Sequence, residues 1–161
     1  MVKDLIALDN SSRVWIYASD KEFSYDELDA ARPEIYDFLE KWTSHNRNLI
    51  SYGNIFHKRF LALFVDESIA GASGCSIDKS VHFIEYLGSR YSKDFFNRMN
   101  LFFLVDDEVV QTHMNDLPAK ISEGKIDGDT LFFDNLVKDK NQFLKSWIKP
   151  VKDSWLKRFL K

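Results

Sequence analysis

The residues best placed to do chemistry lie between positions 70 and 80, where the chain reads Ala70-Gly71-Ala72-Ser73-Gly74-Cys75-Ser76-Ile77-Asp78-Lys79-Ser80. An apolar run precedes this segment and a helical pattern follows it. Strand, small-residue loop and helix entrance in that order favour an anion, because first-turn amides are unpaired and the helix dipole is positive there. Gly71 and Gly74 let the backbone wrap closely around a ligand, so Gly71, Ser73, Gly74, Cys75 and Ser76 form the expected ligand-binding set. The plainer alternative is that the glycines only let the chain turn. Cys75, the one cysteine, adds a second chemistry. A thiolate at a helix N-terminus is stabilised by the dipole and becomes nucleophilic near neutral pH, which makes Cys75 the candidate catalytic residue of a thiol-dependent enzyme. Such an enzyme needs a base. His82 stands about 10 Å further along the helix axis, and His45, His57 and His113 reach Cys75 only through the fold. The competing reading is a small cysteine buried under the loop, since free cysteine is among the most buried residue types.

Ser76 and Lys79 form an S-x-x-K pair, which in some acyl-transfer enzymes sets a nucleophilic serine beside a lysine base. Helical spacing opposes that role: Ile77, Val81, Ile84, Gly88 and Tyr91 share one apolar face, and Lys79 falls on the wet one. Ser76 then reads as the N-cap, with Asp78 in the electropositive first turn.

Residues 70–80, with Val14-Trp15-Ile16-Tyr17, Asn135-Leu136-Val137 and Asp153-Ser154-Trp155, resemble a family of small uncharacterised bacterial proteins often mislabelled as an ABC transporter ATPase. The resemblance spans most of the chain and implies no established activity. The ATPase label fails on chemistry. A phosphate loop G-x-x-x-x-G-K-[ST] aligned on Lys79-Ser80 has Ser73 and Asp78 in its glycine positions, and a carboxylate there repels a triphosphate. The apolar run 60–67 ends in Asp66-Glu67 like an ATPase acidic strand, but it precedes the loop instead of following it.

The elements that must position this loop are legible as patterns. Residues 13–18 (RVWIYA) read as a strand. Ser24 and Glu27 have capping-box spacing, with Phe23 and Leu28 as the staple. The helix they open carries Leu28, Ala31, Ile35, Phe38 and Trp42 on one stripe, and Pro33 falls on its wet side, where a kink is expected. Ile50, Tyr52, Ile55 and Phe56 suggest a strand, His57-Lys58-Arg59 a turn, and the run 60–65 a strand buried on both faces. A hairpin turning at Asp106-Asp107, a short helix around 115–122 ended by Gly124, a strand over 130–137 and a final helix starting at Asp139, broken or kinked at Pro150 and resumed to Lys161, follow. The first six elements run β-α-β-β-α-β, the order of a split βαβ arrangement. The expected fold is therefore α+β: a two-layer ferredoxin-like core, both long helices on one face of one antiparallel sheet, with extra strands and a C-terminal helix.

Size and composition bound the function. A chain of 161 residues, 45% hydrophobic with 14 Phe and 4 Trp, has the apolar area for one core, so a single domain over 1–161 is expected and disorder is excluded. The net charge of -3 offers no global attraction to nucleic acid or an anionic membrane. The charge is uneven: residues 138–161 hold eight basic and two acidic side chains, which as an amphipathic helix could touch a membrane surface or a protein, or close the core. No apolar run is long enough to span a bilayer, and the single cysteine suits a reducing, cytoplasmic setting. Four histidines without ligand spacing give no metal, and no cofactor is expected. The leading expectation is a non-catalytic module that binds a small anionic ligand or a partner's carboxylate through the loop from Gly71 to Ser80.

Overall fold

In a computed structural model describing residues 1–161, the chain is a mixed α and β protein built on two sheets. Strand β1 (Arg13–Ala18) leads into helix α1 (Tyr25–Lys41). Ser24 Oγ accepts from the Glu27 amide and the Glu27 carboxylate accepts from the Ser24 amide, so the capping box forms in full. The helix runs through exposed Pro33, whose missing N–H therefore falls on the solvent side, away from buried Leu28, Ala31, Ile35 and Leu39. A two-residue hairpin, β2 (Thr43–Ser44) and β3 (Arg47–Asn48), precedes the long pair β4 (Ile50–Phe56) and β5 (Phe60–Asp66). Helix α2 (Gly74–Tyr91) follows.

The first sheet has the order β1-β5-β4, with both pairings antiparallel, so β1 and β4 run parallel on either side of β5. All seven residues of β5 are buried. Leu61, Leu63 and Val65 face α1 and α2, where they meet Ile35, Leu39, Ile84 and Leu87. Phe60, Ala62 and Phe64 face the other way, toward Phe102, Phe133, Phe143 and Trp147.

That second face corrects the fold expectation. A ferredoxin-like sheet would seat the next strand, β6 (Asn100–Val105), on the free side of β1. Instead β6 pairs with β7 (Glu108–His113) and with β8 (Leu131–Phe133), which β9 (Ile148–Pro150) extends, giving a second sheet of order β7-β6-β8-β9. The physical reason lies in β5. Two layers cover one face of a sheet, and a strand apolar on both faces needs a third layer. The second sheet supplies it, and its own outer face rests on a third cluster holding Leu101, Phe103, Leu117, Phe132, Val151 and Leu156, closed by helix α3 (Leu117–Ser122) and the C-terminal turns.

The long basic C-terminal helix is also corrected. Helix α4 spans only Lys140–Ser146, capped by Asp139 as expected. Trp147 then stacks on Phe143 at 4.6 Å and inserts against Phe60 and Phe133, turning the chain into β9. Pro150 has no amide to donate and sits on β9, an edge strand, where its absence is tolerated. Beyond it lie two 3-10 turns, so no continuous amphipathic face forms over 139–161. No helix is long and apolar enough to cross a membrane.

The loop after α2 folds back on the helix. Ser92 is left-handed (φ 55°), and the Ser92 and Lys93 amides both reach the Gly88 carbonyl. A Cβ on Gly88 would stand 2.6 Å from the Lys93 carbonyl oxygen. Gly88→Ala is thus expected to lower stability by about 1–3 kcal/mol, although alanine raises helix propensity by roughly 1 kcal/mol; urea unfolding measures the net sign. Lys93 Nζ, its side chain 6% exposed, pairs with Glu27 at 3.2 Å over the Phe23 ring, joining the start of α1 to the end of α2. The hydrogen bond from the Ser24 amide, and then Lys93, hold the Glu27 carboxyl below its ordinary range. A lowered folded value contributes stability above the ordinary carboxylate range and loses it as pH falls through the folded value. Unfolding of wild type and Glu27→Gln should therefore differ at neutral pH in favour of wild type, with the gap closing as the solution is acidified below about pH 4.5.

Candidate functional site

The loop of residues 71–80 forms a helix entrance, but three residues earlier than its spacing suggests. Ser73, not Ser76, is the N-cap, and Gly74 is already helical. Ser73 Oγ accepts from the Ser76 amide at 3.2 Å, and Ser76 Oγ accepts from the Ser73 amide at 2.6 Å while donating to the Ser73 carbonyl at 2.8 Å. Serine at the third position thus performs the reach-back that glutamate performs at α1. Ser76 is fully buried, and its carbonyl accepts the Trp42 indole N–H at 2.8 Å. Its hydroxyl belongs to the cap and faces no ligand. Lys79 is exposed, as expected for the wet side of α2, whereas Ser76, one turn earlier, is buried in the cap.

The acidic end of β5 closes the same loop. Glu67 Oε2 accepts the Ala72 amide at 2.9 Å, and it lies 3.0 Å from where a Cβ on Gly71 would project. Gly71 therefore makes room for the protein's own carboxylate. Asp66 accepts the Ser68 amide at 3.0 Å, and its hydrogen bonds with Ser68 hold the carboxyl below its ordinary range. Of the expected set, Gly71, Ser73 and Ser76 are engaged in this self-closure, and Gly74 and Cys75 stand exposed at the mouth. Negative charge is already present where an anion was expected, and it disfavours a second one.

Cys75 is exposed rather than tucked under the loop, and its sulfur makes no hydrogen bond. None of the four histidines serves it. His82 lies exposed on α2, His45 and His57 occupy left-handed turn positions, and His113 Nδ1 accepts the Asn115 amide at 3.1 Å. Cys75 accordingly lacks the base that a thiol nucleophile uses. No cluster of three His, Cys, Asp or Glu side chains could hold a metal ion.

A mostly apolar concavity lies elsewhere, between the two sheets, along the side of β1 away from β5. It measures about 700 Å³ and is bounded by Arg13–Ala18, by residues 95–98 after α2, by the start of β6, and by Phe132, Phe133 and residues 135–138 around the end of β8. Fourteen of its twenty lining residues are hydrophobic; Arg13, Arg98 and Lys138 are basic, and none is acidic. In a chain whose acidic residues outnumber its basic ones, that lining is strongly biased toward donors.

Backbone geometry adds to the bias. Antiparallel pairing with β5 makes alternate residues of β1 point to opposite edges. Val14 donates its amide to the Lys138 carbonyl at 3.0 Å, which marks the even-numbered residues as facing the cleft. Ser12 accepts from the Lys140 amide at 2.7 Å, and there the pairing ends. Ile16 and Ala18 have no backbone partner on that side, so their N–H and C=O groups border the cleft unpaired. Tyr17 stands edge-on to Phe96 at 5.7 Å; burial raises its phenol pKa and the nearby Arg98 charge opposes the rise. The buried indole N–H of Trp155, another lining residue, finds no acceptor within the protein.

The walls are held by identifiable bonds. The Asp20 and Asp94 amides bond reciprocally to the Asp94 carbonyl and the Asp20 carboxylate, tying the end of β1 to the loop after α2. Lys149 and Asp134 pair at 2.8 Å, both largely buried, and Asn135 Oδ1 accepts the Trp147 indole N–H at 2.8 Å, fixing the opposite wall. Sequence reasoning found β1 but not this site, because Arg13, Arg98 and Lys138 are scattered singly and only the stacking of two sheets gathers them. The chain matches no protein-family model, no curated protein and no solved structure.

Cys75 is expected to react with iodoacetamide in the folded protein, and Cys75→Ser to leave stability within about 0.5 kcal/mol of wild type, as for surface substitutions generally. Mass spectrometry under native conditions and a thermal melt check the two outcomes.

Proposed function

We propose that this protein is a non-catalytic binding module and that the cleft beside β1, rather than the loop of residues 71–80, is its site. The ligand class it suits has an apolar body and an anionic or acceptor-rich portion. The lining carries this reading: an apolar cleft of about 700 Å³ with three basic residues, no acid and several unpartnered donors. Arg98 and Lys138 have no carboxylate partner within the chain, so neither needs to give up an ion pair to meet a ligand. Concave, mostly apolar sites with a few convergent polar groups are the usual form of binding pockets. A thiol mechanism lacks support, since Cys75 has no base, and the loop satisfies much of its donor capacity with Glu67 and Ser76.

The probe 8-anilinonaphthalene-1-sulfonate joins an apolar body to a sulfonate. Titration is expected to show one dye per folded chain with blue-shifted emission. Arg98→Glu and Leu136→Glu, both at exposed lining positions, should weaken the dye about tenfold while the melting temperature holds. Dye binding indifferent to both substitutions, or no stoichiometric binding, would remove the proposal.

A further inference from the structure

Resting on the cleft reading above, we infer that the natural occupant is an extended acidic peptide segment of a partner protein, which adds to the first sheet as a strand alongside β1. The position is built for a strand. A single four-stranded sheet would fill it with β6, but β6 belongs to the second sheet, and only Lys138–Asp139 reaches β1 there. This short self-pairing uses the Val14 amide and the Ser12 carbonyl and then stops. It leaves the Val14 carbonyl and both backbone groups of Ile16 and Ala18 bordering the cleft, a ladder about 13 Å long at 3.3 Å per residue, or four residues of a partner.

Three further observations select the occupant. First, the free groups of Ile16 and Ala18 alternate donor and acceptor along one line, which matches a peptide backbone and no compact anion. Second, the two basic side chains without a carboxylate partner sit toward the ends of that line: Lys138 beside the start of β1, where Arg13 already meets Glu67 at 4.0 Å, and Arg98 near Tyr17. With no acid in the lining, carboxylates flanking the added strand are matched and lysines are repelled. Third, the apolar walls on either side, with Ile16, Phe102 and Phe133 on one and Tyr17 and Phe96 on the other, receive the alternating side chains of an extended segment. A second copy of this chain fits less well, because an acidic residue would have to come from an equivalent β1 that carries none.

The test uses the whole chain, labelled with nitrogen-15, and a blocked hexapeptide of alternating valine and threonine with glutamate at both ends. Two comparators accompany it: the same peptide with lysines for the glutamates, and the acidic peptide N-methylated at every interior amide. The acidic peptide is expected to shift the Ile16 and Ala18 amide resonances, slow their hydrogen exchange at least tenfold and displace the anilinonaphthalene dye. Both comparators are expected to bind at least tenfold more weakly, and Arg98→Glu to narrow the preference for glutamate over lysine. Equal binding of the N-methylated peptide would overturn strand addition. Dye bound in the cleft with no binding of the acidic peptide would defeat this inference and leave the cleft reading standing; failure of both ligands would defeat both. Concentration-dependent shifts of Ile16 and Ala18 without peptide would show a second copy as the occupant and overturn the inference.

Discussion

Strand β5 has apolar side chains on both faces, and the rest of the molecule follows from covering them. One face takes the two long helices, whose stripes of Leu28, Ile35, Leu39, Ile84 and Leu87 meet Leu61, Leu63 and Val65. The other face cannot be left to water: Phe60 and Phe64 alone would expose on the order of 300 Å² of aromatic surface, worth several kcal/mol of lost burial. The chain after α2 therefore does not return to the edge of the first sheet. It crosses to the far side and builds a second sheet whose inner residues, Phe102 and Phe133, lie 5.3 and 4.6 Å in ring-centre distance from Phe60. Sending β6 there leaves β1 without its neighbour. The covered face and the vacant edge have one cause.

Two sheets stacked on an aromatic core could slide until the vacancy closed. Buried cations prevent it. Arg59 lies 8% exposed at the start of β5, donates to the carbonyls of Ser19 and Asp20 and to Gln111 of β7 at 2.7 Å, and lies over the Phe102 ring. It links the end of β1 to the far strand of the second sheet. Lys140, 4% exposed, donates to the Leu8 carbonyl at 2.6 Å and to Ile6, holding α4 on the segment that precedes β1. Neither has a carboxylate partner in the chain. A buried cation held by carbonyl oxygens has demanding geometry: Arg59 Nε already lacks an acceptor, and losing the remaining bonds would cost several kcal/mol. Arg59 thereby ties the end of β1 to the second sheet, and Lys140 ties α4 to the chain entering β1.

Much of this was legible locally and little of it globally. The capping box at Ser24, the exposed Pro33, the turn at Asp106-Asp107 and the Asp139 cap are decided within a few residues, so spacing alone locates them. The pattern of residues 60–65 even declared a strand buried on both faces, which is incompatible with two layers; the element order β-α-β-β-α-β outweighed it in the expectation, and the burial pattern was the better guide. The C-terminal segment misled for a tertiary reason. Its helical periodicity is present, yet Trp147 and Phe143 gain more from the aromatic core between the sheets than from continuing a helix past Pro150. The loop of residues 71–80 was read correctly as a strand-to-helix joint, but Ser76 as a mimic of glutamate in the cap and Glu67 as an internal carboxylate left no motif to find.

The contrast between loop and cleft has a physical basis. A helix entrance has three or four free amides, and a chain can satisfy them with side chains one turn away, as Ser73, Ser76 and Glu67 do here. A strand edge extends over many ångströms, and no single side chain satisfies it; only another extended backbone does. Exposed edges invite uncontrolled pairing between molecules, which is why proteins cover or charge them. Here the edge of β1 is walled by the second sheet and by residues 135–138, so a whole foreign sheet cannot approach, while a single extended segment can enter. Enclosure thus separates two events that an open edge would confuse, indiscriminate sheet growth and selective binding. The arginines and the lysine at the rim then select by charge what the backbone ladder accepts by shape.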